Sequence, residues 1–145
     1  MFVDRVEKIK MESFEGLNCY KIGREFRIEI SKFCKTLPKY EEYRLKDQVT
    51  RSSRSITENI AEGYGRHHHQ ENLQFCRIAR GSLTEAIEQL NISLDEEYLT
   101  QLKYTQLRNL ADNALKLLNG YIRYLKSCTS KKKQPTNNNQ LTTTN

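Results

Sequence analysis

Along most of this chain, apolar residues recur three and four positions apart, the spacing that lines one face of an α-helix. Cys19, Ile22, Phe26, Ile30, Phe33 and Leu37 mark a first helix, predicted over residues 15–35 with Ser13 as its cap. Pro38 closes that segment, because it has no N–H to donate and disfavours helix at the residue before it. A second helix is predicted over residues 41–62 on Leu45, Val49, Ser52, Ile56 and Ile60, with Gly63 and Gly65 placed for a left-handed ending. The third, over residues 70–98, carries Leu73, Cys76, Arg80, Leu83, Ile87, Leu90 and Leu94, a heptad-like seam with one cation in an aliphatic slot. The fourth, over residues 101–126, repeats Leu107, Leu110, Ala114, Leu117, Tyr121 and Leu125.

Nothing in the chain alternates as a strand does. Four helices of roughly 30–45 Å, at the usual rise per residue, with short connections, predict an all-α, antiparallel up-down-up-down four-helix bundle. The expected organisation is a short lead (1–12), the bundle (13–126) and a Lys/Thr/Asn-rich tail (127–145). In that tail Leu141 is the one large aliphatic residue, so the segment buries too little to offset the entropy of ordering and is expected to be disordered.

Composition sharpens this picture. The chain has 145 residues, a length that suits one domain, with a net charge of +6. No apolar run approaches the roughly 20 residues needed to span a bilayer, and residues 1–10 lack a signal-peptide core, so a cytoplasmic protein without membrane contact is expected. Cys19, Cys34, Cys76 and Cys128 form no C-x-x-C pair and suit reduced thiols acting as small hydrophobes.

Candidate chemistry is sparse. His67, His68 and His69 suggest a metal, but adjacent residues cannot all turn to one ion without strain, and a strong site would need Cys, Asp or Glu at ligand spacing nearby. A metal-dependent nuclease built on these histidines and Glu62 would lack the carboxylate cluster such sites use. With no phosphate-binding loop, zinc-protease motif or nucleophile elbow, the expectation is a non-enzyme with no catalytic residues, no metal and no cofactor.

The polar residues carry more information. Arg51, Ser55, Asn59 and Glu62 are spaced four, four and three and share one face of the second helix. With Arg80, Gly81, Ser82 and Glu85 of the third helix they are predicted to form a structural polar seam between helices or subunits, where Glu58 and Glu62 would neutralise Arg80. Gly81 inside a helix implies a packing reason, since glycine there costs about 1 kcal/mol relative to alanine. Lys131, Lys132 and Lys133 supply half of the net charge. Arg44, Lys46, Arg51, Arg54 and Arg66 concentrate on and just after the second helix. This stripe and the lysine cluster are the candidate contacts to an RNA or DNA backbone.

Gln48, Arg51, Ser55-Ile56 and Asn59-Ile60-Ala61-Glu62-Gly63 resemble the signature of the four helix bundle protein family, also called the 23S ribosomal RNA intervening-sequence protein or S23 family. The resemblance extends through Phe14, Leu17, Tyr20, Gly65-Arg66, Phe75, Ile78-Ala79-Arg80-Gly81-Ser82-Leu83, Glu85 and Gln89-Leu90, over residues 13–126. It implies an antiparallel bundle assembling as a homopentameric ring, from a bacterial gene of the kind found in ribosomal RNA insertions. A structural relative, the accessory variability determinant of diversity-generating retroelements, is a basic pentamer that binds nucleic acid and a reverse transcriptase, and the resemblance implies a protein partner of that kind as a further expectation. The chain departs from the family pattern at Ser52-Ser53-Arg54, where small apolar residues are commoner, and at Thr57-Glu58, which replaces a frequent proline-containing pair. Two function classes are in view: a homo-oligomer that binds RNA or DNA, or a scaffold or accessory subunit that binds protein alone.

Overall fold

The computed structural model describes residues 13–131. It contains the four predicted helices: α1 Asn18–Cys34, α2 Leu45–Gly65, α3 His69–Asp95 and α4 Gln101–Lys131. Chain neighbours pack against each other and α1 closes the ring against α4, with no close backbone approach between diagonal pairs; the fold is an antiparallel four-helix bundle. Among the described residues no helix is long and apolar enough to cross a membrane.

The core follows the apolar stripes. Phe26 and Ile30 of α1, Val49 and Ile60 of α2, and Leu83 and Leu90 of α3 are fully buried, and Leu107, Leu118 and Leu125 of α4 nearly so. Two stripes sit differently from the pattern predicted by spacing. In α3 the core slot belongs to Ala79, and Arg80 lies one position round the helix at the edge facing α4. In α4 the buried row is Leu107, Ala111, Ala114, Leu118, Ile122 and Leu125. Leu110 and Tyr121 flank that row, and Leu117 is exposed.

The helix ends also differ from expectation. Ser13 caps a 3-10 turn, Phe14–Gly16, its hydroxyl accepting from the Glu15 N–H, and α1 begins only at Asn18. A second 3-10 turn, Lys39–Glu41, precedes α2, and the Glu41 carboxylate accepts from the Leu45 N–H at 3.1 Å to cap that helix. Glu41 also accepts from the Tyr98 hydroxyl, which bonds Tyr40, so one cluster ties the α1–α2 connection to the end of α3.

No described glycine has positive φ, so Gly63 and Gly65 do not form the predicted left-handed ending. The left-handed residue is His67, at φ 52°, two positions after α2 stops. Gly63 serves close packing instead: a Cβ there would lie 2.7 Å from Asn72 Oδ1 and 2.8 Å from Phe75 Cβ on α3. Helix α4 runs past residue 126 to Lys131. The hydroxyls of Ser127, Thr129 and Ser130 donate back to carbonyls of the preceding turn and leave the backbone ladder intact. The predicted tail beyond that point lies outside the described residues.

Candidate nucleic-acid interface

The cations predicted on α2 do not form one unopposed stripe. Lys46 pairs with Glu42 and Arg51 with Asp47, both at 2.9 Å, and Arg66 pairs with Glu62 at 3.0 Å while lying over the Phe75 ring. Each is an exposed pair one turn apart, worth about 0.3–0.5 kcal/mol and partly cancelling the field of its cation. Arg44 stands at the exposed start of α2. Arg54, like Arg44, is exposed and has no ion pair among the described residues. Lys131 ends α4 in the open; Lys132 and Lys133 lie outside the described residues.

Arg54 opens onto a groove of about 260 Å³ between α1 and α2, lined also by Arg27, Ser31, Lys32, Lys35, Thr50 and Ser53. No carboxylate lines it. Outside the lining, Glu29 binds Lys32 at 2.9 Å and Lys103 at 3.5 Å; its bond to Lys32 holds its carboxyl below the usual range. Arg27, Ser31 and Lys35 stand at intervals of four and lie along one flank of α1. That spacing is the signal in the sequence that marks this face, and the denser basic run of α2 masks it. Arg27 is half-buried, and its Nε is fully buried without a hydrogen bond. A buried donor left in that state costs about 1–3 kcal/mol. Beyond Arg27 and Arg54, which both grooves share, a second cleft is lined by Phe14, Tyr20, Thr57, Glu58 and Ala61.

On its other side α2 meets α3 through polar contacts. Ser55 Oγ lies 2.8 Å from Ser82 Oγ, and Asn59 Nδ2 donates to the carbonyl and hydroxyl of Ser55. Ser52 donates to Gln89, whose amide donates to Glu85. Gln48, Arg51, Ser52, Ser55, Ser82 and Glu85 form a shallow exposed groove above this layer. Three residues predicted for this seam lie elsewhere. Arg80 donates to Asn119 on α4 at 3.2 Å and has no ion pair with Glu58 or Glu62, and Glu62 faces Arg66. Gly81 is exposed, and a Cβ added there would meet nothing within 4 Å.

The three histidines diverge. His67 packs edge-on against Tyr64, His68 Nδ1 accepts from the Glu71 N–H and caps α3, and His69 begins that helix. No group of three His, Cys, Asp or Glu residues among the described residues is placed to hold a metal ion. The buried thiols are poor nucleophiles: burial pushes Cys76 up to about 12 and Cys19 to about 11, and it raises Cys34.

Comparison with known proteins agrees with the bundle. The family model described as 23S rRNA-intervening sequence protein matches residues 15–120. A crystal structure of a protein of unknown function from the S23 ribosomal protein family of Bacteroides thetaiotaomicron superposes with a TM-score of 0.67 at 26% identity. That match covers 72% of this chain and 97% of the other. No curated protein matches. The matched span takes in all of α1, α2 and α3 and most of α4, and the chain therefore belongs to the 23S rRNA-intervening sequence protein family.

Proposed function

We propose that this protein is a non-catalytic, homo-oligomeric nucleic-acid-binding bundle that grips phosphate backbones along its α1–α2 face. The observation that carries the reading is the groove in which Arg27, Lys32, Lys35 and Arg54 converge without a lining carboxylate. Cations that face a phosphate chain gain by displacing its condensed counterions and need no base contacts, so the expected binding is salt-sensitive and weakly sequence-selective. Among the sequence-predicted contacts, Arg54 becomes the principal one, while Lys46, Arg51 and Arg66 contribute less because each already has a carboxylate partner.

Self-association draws support from the other flank of α2, where it meets α3. Ile78 is 53% exposed and stands beside Gly81, whose missing side chain serves nothing within one chain. A bare helical glycine next to an exposed isoleucine suits the close approach of a second copy across the Ser55–Ser82 face.

Fluorescence anisotropy with a structured RNA and with duplex DNA across a salt series tests the binding. Affinity should fall steeply and linearly on logarithmic axes as salt rises. No affinity even at low salt would leave assembly, through the α2–α3 face, as the protein's role. Light scattering at micromolar concentration should find a multimer, and a monomer would remove that part of the reading.

A further inference from the structure

We infer that the α1–α2 groove is a phosphate-monoester site, built to take the terminal phosphate of a strand rather than the phosphodiesters along it. The inference takes its ligand's source from the nucleic-acid reading above, but its geometry stands alone. Arg27, Lys32, Lys35 and Arg54 bring four cations to one groove. Glu29 offsets one through Lys32, and Glu58 stands across Arg27 and Arg54 in the adjoining cleft. The groove keeps a net positive charge, which draws a monoester dianion more strongly than an internal diester with its single negative charge.

The Arg27 Nε supplies the second observation. It is buried without a hydrogen bond, a state that native structures hold only for a reason. Guanidinium presents its Nε–H and a neighbouring Nη–H as a fork that fits two oxygens of one oxyanion. Turned into the groove that Arg27 lines, that fork would meet an oxyanion and satisfy the orphaned donor. The Ser31 hydroxyl, at the groove wall, makes no hydrogen bond among the described residues and is available to donate to the same group. Thr50 and Ser53 are already engaged, with Cys34 Sγ and the Thr50 carbonyl.

The nucleoside attached to that phosphate also has a place. The adjoining cleft shares Arg27 and Arg54 and presents Phe14 and Tyr20, whose rings meet edge-on at 5.0 Å. An aromatic wall beside a phosphate site fits the nucleoside that bears the phosphate, since every base has a face to lay against a ring.

The test compares one short single-stranded RNA in two forms, with a 5′-phosphate and with a 5′-hydroxyl, bound to the full-length protein and read by fluorescence anisotropy. The phosphorylated strand should bind about tenfold tighter, the scale of one charge-assisted fork. In Arg27→Gln/Arg54→Gln the ratio should fall to about one, and Arg27→Lys should lower it only in part, with circular dichroism checking that both variants fold. Displacement by inorganic phosphate would assign the preference to the phosphate alone. Displacement by adenosine monophosphate but not by inorganic phosphate would add the nucleoside contact at Phe14 and Tyr20. A wild-type ratio near one, with no displacement by either competitor, would overturn the inference. Salt-dependent binding of both strands in that same experiment would still uphold the broader nucleic-acid reading.

Discussion

At the scale of single residues, the glycines and cysteines show what sequence alone withholds. Gly63 and Gly81 each sit in a helix where glycine is costly, yet only Gly63 has a neighbour that explains it. Gly63→Ala should lower the melting temperature by several degrees, because overpacking against Asn72 and Phe75 costs about 1–3 kcal/mol and exceeds the gain in helix propensity. Gly81→Ala, with open space around it, should stabilise the isolated chain by up to about 1 kcal/mol and weaken self-association, which thermal melts paired with light scattering would separate. Spacing marks Gly81 as an anomaly and reads Gly63 as a helix ending, but cannot say which neighbour lies 2.7 Å away. The thiols give a pH prediction. Cys19 and Cys76 are raised from 9.0 to about 11 and about 12, so the folded state holds protons that the unfolded state releases first. Their contribution to stability is complete below pH 9 and lost as pH rises through 11 to 12. Denaturant midpoints measured from pH 8 to pH 11 should fall at the alkaline end, and a Cys19→Ala/Cys76→Ala variant should flatten that fall.

At the scale of elements, the number, order and approximate span of the helices were legible because each carries an unbroken three-four apolar rhythm. Register was less so, and α4 shows why. Leu110, Leu117 and Tyr121 satisfy the spacing as well as Ala111, Leu118 and Ile122, one position further on, and a reading that favours bulk over alanine chooses the wrong row. Only packing against α1 and α3 decides between them. Leu118→Ala should cost about 2–5 kcal/mol, and Leu117→Ala less than about 1 kcal/mol, in urea unfolding. Equal costs would contradict the register described. The same ambiguity placed Arg80 in the α3 seam, where Ala79 fills the slot and leaves the arginine free to reach Asn119. Helix ends are set by side-chain caps that no spacing rule singles out: the Glu41 carboxylate at the start of α2 and the His68 imidazole at the start of α3.

At the scale of the whole molecule, charge distribution matters more than charge count. The chain is only modestly basic, and much of the α2 stripe is answered by acids one turn away. What distinguishes the molecule is where cations gather at a groove that no carboxylate lines. Arg54 was legible as a candidate contact, whereas Arg27, Lys32 and Lys35 were not, because they join it only when α1 packs antiparallel to α2. The two flanks of α2 thus divide the proposed labour, with the α1 side meeting phosphate and the α3 side meeting another copy. The most direct test of this account is the salt dependence of RNA binding in two full-length variants. Arg27→Gln/Lys35→Gln/Arg54→Gln neutralises the groove, and Lys131→Gln/Lys132→Gln/Lys133→Gln neutralises the lysine cluster that begins at the end of α4. The account predicts that the groove variant loses about tenfold or more in affinity at low salt and shows a shallower salt slope, while the lysine-cluster variant stays near wild type. The opposite result, binding that survives loss of the groove and vanishes with the terminal lysines, would contradict it.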